Sequence, residues 1–153
     1  MNMQNSDTGR TPTQYHRNDD RPSWNVRQTM KEKFGDQDLK KWDATGILNV
    51  GEQLAKVMKD KKVTTSQIRK FIDELQRLRS SSRLDLEQVK LTKIRLIYAA
   101  GRAEKGSAEA LKNFEQAFSY ALEHLHDKQD FTNLVRFVET VVAYHRYLGG
   151  SDK

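Results

Sequence analysis

From Val63 to Phe71 the chain runs V-T-T-S-Q-I-R-K-F, with Lys61 and Lys62 immediately before it. Thr64 followed three residues later by Gln67 fits a capping box, which predicts a helix start at Thr64 or Thr65. A helix N-terminus carries free N–H groups and partial positive charge, so it suits phosphate. Around that end stand the hydroxyls of Thr64, Thr65 and Ser66, the amide of Gln67 and the charges of Lys61 and Lys62, with Arg69 and Lys70 one turn on. Contacts of this type go to the sugar-phosphate backbone and hold a strand without reading its sequence. Tryptophan and tyrosine are not interleaved with these cations, which argues against base stacking as the main mode. The plain alternative is a solvated helix face.

No other set of side chains converges on catalysis. His124 and His126 are two apart, so a helix points them to different sides and a shared metal is not expected. Near a helix end both read as surface residues that favour the dipole. His145 beside Arg146 raises a small helical ribonuclease, but the arginine-to-histidine spacing of that nuclease family is absent. P-loop, zincin and nucleophile-elbow motifs are missing as well. No metal and no cofactor is expected.

The elements that position these residues follow from periodicity. Residues 1–43 hold both prolines, Pro12 and Pro22, and no sustained pattern, so they are expected to be disordered or loosely docked. Trp24, Met30, Phe34 and Trp42 depart from a plain tail. They point to docking on the bundle or a neighbouring subunit, or to a weak helix over Trp24–Phe34 packed on its own domain. A helical bundle domain is expected over residues 44–150, with a short tail at 151–153. A first helix runs from Thr45 to about Lys59 and a second from Thr64 to the serines at 80–82. A third runs from Asp85 to Ala100 or Arg102; its apolar run Leu96–Ala100 suggests a central position. Ser107 caps a fourth, and Asp130 or Thr132 starts a fifth that Gly149 and Gly150 close. The expected fold class is all-α, a compact bundle of about five helices with a largely irregular N-terminal extension.

With 153 residues the chain supports one domain. It has no cysteine, which fits a reducing cytosol, and no apolar run long enough for a signal peptide or a membrane span. A cytoplasmic protein without a membrane partner is therefore expected. Net charge is +6, unevenly placed. Lys56 to Lys105 carry fourteen Lys and Arg against six acids, and Gly106 to the end carries five against seven. A positive middle third is what a polyanion-binding face requires.

Three motifs in order, T-T-S-Q-I-R-K-F at Thr64–Phe71, I-Y-A-A-G-R at Ile97–Arg102 and V-V-A-Y-H-R-Y-L-G-G at Val141–Gly150, resemble the small subunit of type III-A CRISPR (Csm) effector complexes. The likeness covers roughly residues 45–150. It implies a compact, non-catalytic helical protein of antiviral defence. Several copies would stack beside the subunits that hold the guide RNA and help to bind target RNA and its duplex with the guide. Partners on this basis are guide RNA, target RNA, other subunits of the complex and further copies of the chain. The resemblance carries RNA contact onto Arg69, Lys70 and Arg102, whereas Lys61, Lys62, Ser66 and Gln67 rest on the helix-terminus argument. Tyr144 and Tyr147 are expected in the core or an interface. The competing expectation is a helical protein–protein adaptor that makes no nucleic-acid contact, with the helical nuclease third.

Overall fold

The computed structural model describes residues 23–153, and every regular element among them is helical. The helices are α1 (Val26–Phe34), α2 (Ala44–Asp60), α3 (Thr65–Arg79), α4 (Leu86–Leu91), α5 (Lys93–Arg102), α6 (Lys105–Leu122) and α7 (Lys128–Tyr147), with a single 3-10 turn at Leu39–Lys41. Short polar side chains start most of them. Asn25, Asp43, Thr64, Asp85 and Asp127 each accept a hydrogen bond from an N–H of the following first turn. Two starts differ from expectation. Glu104, not Ser107, precedes α6, and Ser107 turns its hydroxyl back to the Glu104 carbonyl at 3.2 Å. Asp127 precedes α7, with Asp130 completing a capping box from inside the helix.

The third expected helix is broken in two at Thr92. Its side chain is buried and its hydroxyl donates to the Val89 carbonyl at 2.6 Å, while its backbone N–H donates to the same carbonyl at 3.1 Å. A threonine bonded to the preceding turn competes with the helix ladder and bends it. The run Leu96–Ala100 is also not central. Leu96 and Ala100 are buried, but Ile97 and Tyr98 are 52% and 64% exposed. So α5 is amphipathic, with one face on α6 and α3 and the other open to solvent.

Residues Val26 to Trp42 share the core instead of forming a loose extension. Val26, Met30, Phe34, Leu39 and Trp42 are all buried, and the Trp42 ring lies parallel to Phe34 at 3.8 Å. The Trp42 indole N–H donates to the Gln37 carbonyl at 3.1 Å. The Tyr120 hydroxyl donates to the Gly35 carbonyl, and Arg27 pairs with Glu123 at 2.9 Å, a hydrogen bond that holds the Glu123 carboxyl below its ordinary value. This is the packed weak helix weighed for Trp24–Phe34. Trp24 itself is half-buried, donating to Thr29 Oγ1 at 2.8 Å. Pro12, Pro22 and the rest of residues 1–22 lie outside the described residues.

Beneath α3 the core is aromatic. Phe71 meets the edges of Phe114 and Phe118 with centroids 5.8 and 4.9 Å away. Where α2 crosses α7, Gly51 lets the backbones close: a Cβ there would lie 2.5 Å from Thr140 Cγ2. Asp130 is fully buried, and its carboxylate accepts the N–H groups of Lys40, His126 and Asp127 at 2.8, 2.7 and 3.2 Å. Lys40 also pairs with Asp127 and thereby holds that carboxyl below its ordinary range. Among the described residues no helix is long and apolar enough to cross a membrane.

Candidate nucleic-acid interface

At the start of α3 both halves of the capping box are formed: the Gln67 N–H donates to Thr64 Oγ1 at 3.3 Å, and the Thr64 N–H donates to Gln67 Oε1 at 2.8 Å. The next two N–H groups are also taken. Thr65 donates to the Ser151 carbonyl at 3.1 Å and Ser66 to the Asp152 carbonyl at 2.8 Å. The tail expected at 151–153 thus closes the helix end, and Arg146 anchors it by an ion pair to Asp152 at 2.7 Å. Gly150 makes this return possible, because any Cβ there would sit 2.3 Å from the His145 ring. With the tail closed, the Thr65 and Ser66 N–H groups are therefore not free to receive a phosphate, which leaves the cationic side chains as the groups at this end that could meet an anion. Deleting residues 151–153 leaves the Thr65 and Ser66 N–H groups without those acceptors. The expected cost is about 1 kcal/mol, seen as a lower urea midpoint; an unchanged midpoint would show that the tail does not cap α3.

Those cations divide into two groups. Ser66, Gln67 and Lys70 of α3 face Arg95, Tyr98 and Arg102 of α5 across a cleft of about 360 Å³, with Phe71, Ala99 and Ala103 completing the lining. No acidic side chain lines it. Four of the seven residues singled out from sequence, Ser66, Gln67, Lys70 and Arg102, are brought together here. Arg69, next to Lys70 but turned about 100° round the helix, does not line the cleft. Lys61 and Lys62 are exposed on the turn between α2 and α3, where Lys62 adopts φ +65°.

Arg95 and Tyr98 escaped the sequence pattern, although Arg95, Tyr98 and Arg102 share the i, i+3, i+7 spacing that sets residues on one helical face. The Arg102 guanidinium lies 5.5 Å from the Tyr98 ring centroid, a cation–π distance. Arg95 is steadied by Glu74 at 3.4 Å, which also meets Arg77 at 3.4 Å. The cleft thus sets Lys70 of α3 beside a ring that already stands between Arg95 and Arg102 on α5.

The three described histidines are held by contacts within the fold. His145 is buried and its Nε2 meets the Val63 carbonyl at 2.7 Å, tying α7 to the turn before α3. His124 Nδ1 meets the Tyr120 carbonyl at 2.9 Å, and His126 lies 3.4 Å from Asp38. Among the described residues no group of three His, Asp or Glu is placed to hold a metal ion. Tyr144 is half-buried, whereas Tyr147 is 82% exposed. A model of the Csm2 Type III-A family matches residues 41–151, which take in α2 to α7 and the whole cleft. No curated protein and no solved structure matches the chain.

Proposed function

We infer this chain's role from its family: it belongs to the Csm2 Type III-A family and is a small subunit of a type III-A CRISPR complex, part of antiviral defence. We propose that it is a non-catalytic, cytoplasmic subunit that holds target RNA, and the duplex of target with guide, by its sugar-phosphate backbone. The observation that carries this is the acid-free cleft between α3 and α5, where Lys70, Arg95 and Arg102 converge. Cations on two helices facing one groove suit successive phosphates of a strand.

Copies stacking on one another form the second part of the proposal. Leu91, Ile94 and Ile97 stand about half exposed on the outer side of α4 and α5. A separate apolar groove of about 230 Å³ lies between α3 and α7, lined by Ile72, Val138, Val142 and Ala143 among others. Two different apolar features on one chain suit a head-to-tail contact, which extends as a stack.

The test is purification of the tagged chain from its native host, with identification of co-purifying proteins and sequencing of bound RNA. The proposal expects the other effector subunits together with guide RNA. Recovery with protein partners but no RNA, and no RNA affinity of the assembled complex at low salt, would favour the adaptor.

A further inference from the structure

We propose that Tyr98 is a stacking platform for one unpaired nucleobase, so that the cleft takes single-stranded RNA in preference to continuous duplex. This rests on the cleft being an RNA site and adds the form of RNA it selects. Tyr98 is 64% exposed, although rings of its size usually find cover. It lines the same cleft as Lys70, Arg95 and Arg102, and the Arg102 guanidinium at 5.5 Å orients the ring. With Arg102 over one face of a ring that is 64% exposed, the other face is the one that stacks a base while the cations beside it pair with the neighbouring phosphates. The cleft, about 360 Å³, lies within the range of roughly 300–1,000 Å³ that holds small ligands. In a continuous duplex both faces of each base are already stacked, so only an unpaired or displaced base can use the ring.

Ile94 and Ile97 are exposed on the same helix and offer the ring a different occupant, a protein surface. The cationic surroundings favour the nucleotide. Leu91, Ile94 and Ile97 do not line the cleft, whereas three cations do.

The experiment measures the binding of the full chain to one RNA oligonucleotide, single-stranded and annealed to its complement, by fluorescence anisotropy across a salt series. Tyr98→Ala and Tyr98→Leu are expected to weaken single-strand binding about 5- to 150-fold, with the salt slope and the duplex affinity unchanged. Tyr98→Phe is expected to keep the wild-type affinity. Equal losses on single strand and duplex, or no loss on either, would overturn the stacking role. So would a change in the sedimentation of the chain without a change in RNA affinity, which would assign the ring to a protein contact. The double variant Lys70→Ala/Arg102→Ala separates the two levels. If it too binds RNA normally, the RNA site itself is wrong; if it binds weakly while Tyr98→Ala does not, only the stacking falls.

Discussion

Alanine at both Lys70 and Arg102 is expected to weaken RNA binding about 10- to 100-fold, by a similar factor for every sequence, and to lower the salt slope by about 2. The two residues approach the cleft from different helices, Lys70 from α3 and Arg102 from α5, so removing both clears both walls of charge. They carry more than Arg95, whose charge is partly answered by Glu74 within the chain. Lys70 and Arg102 make no ion pair among the described residues, so their loss leaves no carboxylate without its partner; the one contact given up is that of Arg102 with the exposed Tyr98 ring. Arg69→Ala set against Lys70→Ala alone is the matched control: each removes one positive charge from the same turn of α3, but Arg69 lies outside the cleft. A binding curve and salt slope identical to wild type in the double variant would contradict the site, and an equal loss in Arg69→Ala would show that charge acts without regard to place.

Asp130→Ala is expected to destabilise the protein by about 3 kcal/mol or more, lowering the urea midpoint. The Asp130 carboxylate is fully buried and accepts three backbone N–H groups, from Lys40 in the 3-10 turn, His126 in the loop before α7 and Asp127 at its start. A hydrogen bond to a charged acceptor contributes about 1.5–3 kcal/mol, and a buried donor left without a partner costs more than the bond was worth. Alanine strands all three. Asp130→Asn keeps the shape but turns an amide N–H₂ toward donors, so it is expected to lose part of the same stability. Because α1 to α7 pack as one core, the expected unfolding is a single shifted transition. An unchanged midpoint would show that these N–H groups find other acceptors.

The features that were legible in the sequence are those whose partners lie close in the chain. The capping box at Thr64 and Gln67 is local, and so is the amphipathic period of α3 that sets Lys70 apart from Ile68 and Phe71. Lys70 and Arg102 lie in sequence motifs on the two helices that wall the cleft. Arg95 and Tyr98 were hidden because the run Leu96–Ala100 averages over faces: Leu96 is buried and Ile97 beside it is half exposed. Exposed isoleucines mimic a buried helix to any pattern that counts apolar residues. The anchoring of α1 was legible as one alternative, from Trp24, Met30, Phe34 and Trp42, but its partners were hidden for another reason. Its attachments run from Phe34 to Trp42 and from Gly35 to Tyr120, and a separation of 85 residues leaves no local trace. The tail was hidden most completely, because Ser151 and Asp152 act through backbone carbonyls that every residue possesses.

That last contact also alters what Val63–Phe71 contributes. The helix start is a closed structural joint, held by Gln67, by the tail and, through the Val63 carbonyl, by His145. It fixes the start of α3, the helix from which Lys70 lines the cleft that Arg102 lines from α5.

The most direct measurement is photo-cross-linking of target RNA to the assembled complex, with the linked peptides identified by mass spectrometry. Cross-links are predicted within Ser66–Phe71 and Arg95–Ala103, the two walls of the cleft. Cross-links to this chain confined to other segments, or none while neighbouring subunits are labelled, would contradict the assignment of the cleft as the RNA-binding face.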